Sequence, residues 1–247
     1  MTGPPVSVVV PCYNAAKFLP DAIASVRAQD YAPIEIIVVD DGSTDDTPQV
    51  AAALGAGIRY LRQDNAGPAS ARNHGLHEAR GEFIGFADAD DQWPEGKLEL
   101  QVGRLLAEPS LDVVTGRIRY IELPGAKKLD LPFEGPDNTV AHIHLGAGLF
   151  RRRVFEKVGL LDETLRISED FDWFIRAREA GLRIVVLHEV TLLYRLHESN
   201  MTRELSAREL MLTRVLHDSL ARRRQKGGTA QALPTWSSLD DKRNPDS

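Results

Sequence analysis

Cysteine is almost absent from this sequence: Cys12 is the only one among 247 residues. An internal disulfide is thereby excluded, which fits a reducing compartment. Positive charge is not in excess either. With a formal charge of −6 and an isoelectric point near 5.7, nucleic acid is not expected as a partner. No apolar run reaches the roughly 20 residues needed to span a bilayer, and no basic segment followed by an apolar core opens the chain as a secretory signal does. The expectation is a cytoplasmic protein, in contact with the inner face of a membrane only peripherally if at all. Also missing are the glycine-rich phosphate loops: neither Gly-x-Gly-x-x-Gly after the first apolar run nor Gly-x-x-x-x-Gly-Lys-Ser/Thr occurs. Any nucleotide held here needs another way to neutralise its phosphates.

What is present alternates with regular period. Residues 6–10 form a β-branched run stopped by Pro11, and 16–29 carry apolar residues at helical spacing. A second strand over 34–39 leads to Thr44 or Asp45 as the cap of a helix to about 54. A short strand at 58–61, a helix opened by Pro68 and running to 79, a strand at 82–86 and a helix from Pro94 to 106 complete the first half. This alternation predicts an α/β fold with a mostly parallel, twisted sheet and helices on both faces. The near-continuous apolarity of the strands means that both their faces are covered. From 111 the pattern changes. Strands are expected at 112–116 and 118–121, a loop over 124–137, and a strand carrying His142 and His144 on one face. Helices follow at 151–158 and from a Ser168 cap to 180, then strands at 183–187 and 192–195. An amphipathic helix over 205–221 ends in the basic run 222–226, which either touches anionic lipid or is solvated. Residues after 227 are expected to be disordered.

Acidic residues gather where strands end. Asp88-Ala89-Asp90-Asp91 follows a buried strand, and an Asp-x-Asp spacing turns both carboxylates to the same side of the pleat, where one cation could engage them. Pro11-Cys12-Tyr13-Asn14 and Asp40-Asp41-Gly42-Ser43 end two other strands. In open α/β sheets ligands bind beyond these carboxyl ends. Turn chemistry explains Asn14 and Gly42 but accounts poorly for the number of Asp residues on one rim. A divalent ion bridging carboxylate and diphosphate is the physical substitute for a phosphate loop.

The ordered set Val8-Val9-Val10-Pro11-Cys12-Tyr13-Asn14, Val39-Asp40-Asp41-Gly42-Ser43-Thr44-Asp45, Ala71-Arg72-Asn73-His74-Gly75, Asp88-Ala89-Asp90-Asp91, Gly148-Leu149-Phe150, Glu169-Asp170-Phe171-Asp172-Trp173 and Tyr194-Arg195-Leu196-His197 resembles the family 2 inverting glycosyltransferases of GT-A fold. The resemblance covers about residues 5–200. It implies one domain over 1–221: a nucleotide-sugar half (1–110), an acceptor and catalytic half (111–200) and the terminal helix, with 222–247 as a basic tail. It further implies a nucleotide-sugar donor, UDP-linked by expectation, and a saccharide or lipid-linked acceptor in cell-surface polysaccharide synthesis. Pro11, Tyr13, Asn14, Asp40, Asp41, Arg72 and Asp88 would form the donor pocket. Asp88, Asp90 and His197 would hold Mn²⁺ or Mg²⁺, and Asp91 is left unassigned between the ion and a cap. Asp170 would be the catalytic base with Glu169 beside it. Trp173, His144 and Gly148 are candidates for the acceptor side, Trp173 being equally readable as core. The alternatives are a nucleotidyltransferase, which wants a basic glycine-rich loop after the first strand, and an inactive sugar-binding scaffold.

Overall fold

The computed structural model describes residues 2–126, 137–200, 212–225 and 239–241. The first half follows the predicted alternation: β1 (Thr2–Cys12), α1 (Leu19–Arg27), β2 (Ala32–Asp40), α2 (Thr47–Ala53), β3 (Ile58–Arg62), α3 (Pro68–Glu78), β4 (Phe83–Phe86) and α4 (Lys97–Ala107). The second half adds β5 (Val113–Glu122), β6 (Thr139–Val140), a 3₁₀ turn (Leu145–Ala147), β7 (Leu149–Arg151), α5 (Arg153–Val158), α6 (Glu169–Glu179), β8 (Ile184–Leu196) and α7 (Leu212–Gln225).

These strands join in an eight-stranded sheet ordered β3-β2-β1-β4-β7-β5-β6, with β8 paired to β5. β3, β2, β1 and β4 are mutually parallel, β7 runs antiparallel between β4 and β5, and β8 returns parallel to β5. Alternation along each strand divides the apolar residues between two cores. Val6, Val8 and Val10 of β1 with Ile36 and Val38 of β2 face α1 and α4 on one side. Val9, Ile37 and Val39 face α3, α5 and α6 on the other. Helices therefore cover both faces, as expected. A third small cluster of Leu165, Ile175 and Val215 seats α7 against α6.

Several boundaries differ from the sequence reading. Pro11 does not stop β1; it pairs with Val39, and the strand runs on to Cys12. The 112–121 region is one strand whose register shifts at Arg117, and 183–196 is likewise one strand, because β5 and β8 pair along their length. His142 and His144 lie outside any strand, since β6 ends at Val140. α4 starts at Lys97 rather than at Pro94, and Ser168 precedes α6 at φ 65 without a side-chain cap bond. α7 continues through Arg222–Arg224, so the helix does not end before the basic run. The C-terminal segment is ordered at 239–241: the Asp241 amide donates to the Val186 carbonyl, and its carboxylate pairs with Arg104. The start of the predicted terminal helix (205–211) and most of the predicted loop (127–136) lie outside the described residues.

Candidate active site

The carboxyl ends of β1, β2 and β4 converge with the amino end of α6. After β1, the Asn14 side chain closes the turn: its Oδ1 accepts from the amides of Thr44 (2.8 Å) and Asp45 (3.3 Å). That leaves the neighbouring Tyr13 ring 51% exposed, a free aromatic face at the rim. Asp40 is consumed by structure. It accepts from the Ser43 amide, the Tyr60 hydroxyl and Arg62 Nη1. Burial alone would raise its pKa, but these donors outweigh it and hold the carboxyl below its ordinary value. Asp41 accepts from Gln63 Nε2 (2.8 Å) and the amides of Ala66 (2.9 Å) and Gly67 (2.8 Å), and so shapes the loop that launches α3. Gly42, directly after Asp41, takes φ 77.

Arg72, on α3, bridges two elements. Its Nη2 donates to Asp88 Oδ1 at 2.6 Å and its Nη1 to Glu169 Oε1 at 2.5 Å. Sequence reasoning gave Arg72 to base or phosphate; the structure joins it to two acids instead, while its buried Nε has no partner. Burial would raise the Asp88 pKa, yet the guanidinium outweighs it and keeps the group ionised. Glu169 goes the other way, raised by burial against Arg72's opposition. Asp170 also sits high, first through burial. Among the described residues its carboxylate accepts one hydrogen bond, from the Phe171 amide to Oδ1 (2.6 Å), which leaves it open to a proton.

The acidic loop divides into two arms. Asp90 meets His197, with Nε2 3.1 Å from Oδ2. The His197 ring stacks on Phe18 at 4.3 Å, and its Nδ1 accepts from the Ser199 amide at 3.3 Å. Asp91 turns inward. It is 2% exposed, Oδ1 accepts from the Arg195 amide, and Oδ2 has no partner. Burial and then repulsion from Asp90 and Asp88 push its pKa well up. Ligand atoms of Asp88, Asp91 and His144 lie within 4.8 Å of one another. Oxygen-rich donors with an unpartnered buried carboxylate oxygen suit a hard divalent ion such as Mn²⁺ or Mg²⁺. The sequence expectation groups Asp88 with Asp90 and His197; the ligand atoms that lie together among the described residues are instead those of Asp88, Asp91 and His144, with Asp90 and His197 outside that group.

Two acceptor-side expectations are corrected. Trp173 is fully buried, packs edge-on against Phe150 at 5.4 Å and donates from Nε1 to the Gly159 carbonyl, so it is core and no sugar platform. Gly148 is small because of packing: a Cβ there would lie 2.7 Å from the Phe150 ring. His144 does reach the site, with Nε2 3.7 Å from Asp88 Oδ2, whereas His142 is exposed and bonded to the Ile143 carbonyl.

Sequence reasoning missed Lys97 and Arg195. Lys97 is fully buried at the start of α4, its ammonium bonded to the Gly146 carbonyl and 4.2 Å from the centre of the Trp93 ring. Arg195 ties the Asp90 carbonyl to the Phe18 carbonyl and to Asp21, clamping the acidic loop onto α1. A signal existed for Lys97: Lys97, Gln101 and Arg104 recur at helical spacing on the buried face of α4, among Leu98, Val102 and Leu105.

This sheet order, with acids at the strand ends, is the GT-A architecture. Similar solved structures include Staphylococcus aureus TarS 1–349 in complex with UDP-GlcNAc, at TM-score 0.71 and 22% identity over 95% of this chain and 69% of that one. A mannosyltransferase of Pyrobaculum calidifontis in complex with GDP-Man and Mn²⁺ matches at TM-score 0.64 and 19% identity, over 96% and 78%. The family model for glycosyl transferase family 2 matches residues 7–159, and the chain belongs to that family. An uncharacterised glycosyltransferase of Rickettsia typhi is 34% identical over 215 residues, spanning 81% of this chain and 66% of that relative. The succinoglycan biosynthesis protein ExoO of Rhizobium meliloti is 33% identical over 250 residues, spanning 90% and 72%. The chain thus matches just under two thirds of the length of the Rickettsia relative.

Proposed function

We propose that this protein is an inverting, metal-dependent glycosyltransferase that moves a sugar from a UDP-sugar to a hydroxyl of a saccharide or lipid-linked acceptor in polysaccharide synthesis. The observation that carries the reading is the Arg72 bridge, which sets the donor-side Asp88 and the α6 acids Glu169 and Asp170 around one guanidinium. The succinoglycan role of ExoO supports the polysaccharide setting, and the UDP-GlcNAc complex of TarS supports the donor class.

In this reading the exposed Tyr13 ring stacks on the base, and the Asp41 loop borders the same pocket. Asp88 faces the ribose. Asp88, Asp90 and Asp91 would hold a divalent cation, which would offset the negative charge of the leaving diphosphate. His197 donates to Asp90 and fixes its orientation. The acceptor oxygen attacks the anomeric carbon from the face opposite the diphosphate. As that bond forms, the bond from the anomeric carbon to the phosphate oxygen breaks and its electron pair leaves with the nucleoside diphosphate. The hydroxyl proton passes to Asp170. Glu169, held by Arg72, places negative charge near the developing oxocarbenium.

Asp90→Asn and Asp170→Asn are each expected to abolish transfer while the circular dichroism spectrum stays that of the wild type. Purified variants assayed against a panel of nucleotide-sugars provide the check. Normal turnover by either variant removes the corresponding assignment.

A further inference from the structure

A buried lysine is costly unless its charge is engaged: burial pulls the Lys97 pKa well down, with Asp91 opposing, and the proposed transfer step leaves Lys97 without a task. Its ammonium is bonded to the Gly146 carbonyl. The rest of the same turn is held from below in the same manner: Gln101 Nε2 donates to the Ala147 carbonyl at 2.8 Å, and Thr191 Oγ1 to that carbonyl at 2.9 Å. The 145–147 turn is therefore anchored by α4 and β8 through its carbonyls, leaving the Gly146 amide to point at a side chain.

That side chain is His144. The Gly146 amide lies 3.0 Å from His144 Nδ1. A backbone N–H only donates, so Nδ1 must offer its lone pair. The ring proton then sits on Nε2, the atom turned toward Asp88 Oδ2. An Nε2 that carries hydrogen has no lone pair for a cation. His144 thus stands beside the carboxylates as a donor rather than as a ligand, although its atoms fall within the cluster. A Cβ at 146 would lie 3.0 Å from His144 Nδ1, so the ring would have to give by a few tenths of an ångström. Arg72 donates to Asp88 Oδ1 at 2.6 Å, while His144 Nε2 faces Oδ2 from 3.7 Å, outside direct hydrogen-bond distance.

We propose that Lys97 is a positioning residue for the transfer: it locks the 145–147 turn, whose Gly146 amide fixes the His144 imidazole as an Nε2–H donor aimed at Asp88. The kinetic part rests on the glycosyltransferase reading; the tautomer part does not. The test is long-range proton–nitrogen correlation on ¹⁵N-histidine-labelled protein without substrate, with the His144 signals assigned by their loss in His144→Asn. Wild type is expected to show the Nε2–H tautomer, unchanged by Mg²⁺, and Lys97→Met to show a mixture of tautomers. In steady-state assays Lys97→Met should lower kcat on the order of ten- to a hundred-fold, with KM for the nucleotide-sugar moved less than roughly threefold. If Lys97→Met does not fold, Gly146→Ala takes its place with the same two readouts, because its methyl displaces the ring from the amide. An Nδ1–H tautomer in wild type, a Mg²⁺-induced loss of the Nε2 proton, or a variant that keeps the wild-type tautomer or kcat overturns the proposal. A wild type inactive on every donor defeats the transferase reading, while the spectra still decide the tautomer.

Discussion

A carboxylate that has to take a proton works best when its pKa lies close to the reaction pH, and burial moves Asp170 in that direction. The base must be ionised to act. The acid limb of kcat/KM is therefore expected above the ordinary carboxylate value of 3.8, measured as a pH–rate profile at saturating metal. Asp40 has the opposite sign. Its pKa is depressed in the folded state, so its contribution to stability is present above 3.8 and is lost as the pH falls through its lower folded value. Asp40→Asn should cost about 1–3 kcal/mol at neutral pH, with the gap to wild type closing in urea melts below that range. Asp90 and His197, 107 residues apart, were both singled out through their motifs, and the structure places them side by side. Lys97 was not, because nothing in a linear pattern says that a helix face will be buried against a turn 49 residues away.

At the scale of elements, the alternation of strands and helices was readable because each strand carries its own apolar run and each helix its own stripe. The two long strands of the second half were read as four, since a break in hydrophobic pattern at Arg117 looks like an end. Only pairing with a neighbour shows that the ladder continues through the irregularity. Trp173 was ambiguous for a similar reason. Helical spacing with Phe174 and Ala177 says which face it shares, and not what lies opposite. The structure puts Phe150 and Phe155 there, at 5.4 and 5.1 Å. Trp173→Ala should accordingly cost about 3–5 kcal/mol, read from denaturant midpoints. Trp173→Phe, which keeps an aromatic ring, should recover most of that loss.

For the whole molecule, the proposed donor and cation sites lie at strand ends contributed by β1, β2 and β4, so binding there would bear on the stability of the central sheet. A matching nucleotide-sugar with Mn²⁺, at about 100 times its Kd, should add about 2.7 kcal/mol. In a domain of this size that raises Tm by roughly 5–10 °C. Removing the ion with a chelator should cancel the shift. A screen of donors by this shift, run with and without metal, identifies the nucleotide and the sugar together, and a flat response to all of them would favour a scaffold over an enzyme.

The Arg72 bridge also bears on the order of synthesis. Its two partners are 16 and 97 residues away along the chain. At ribosomal speeds of about 5–20 residues per second, that difference is on the order of ten seconds. During this interval the growing chain holds Arg72 and Asp88 but not Glu169 or Asp170. The elements assigned to the donor thus emerge before the assigned base exists, and a chain cut short there would lack the group that accepts the hydroxyl proton. On the proposed reading, the residue that would take the proton is therefore among the last parts of the site to be synthesised.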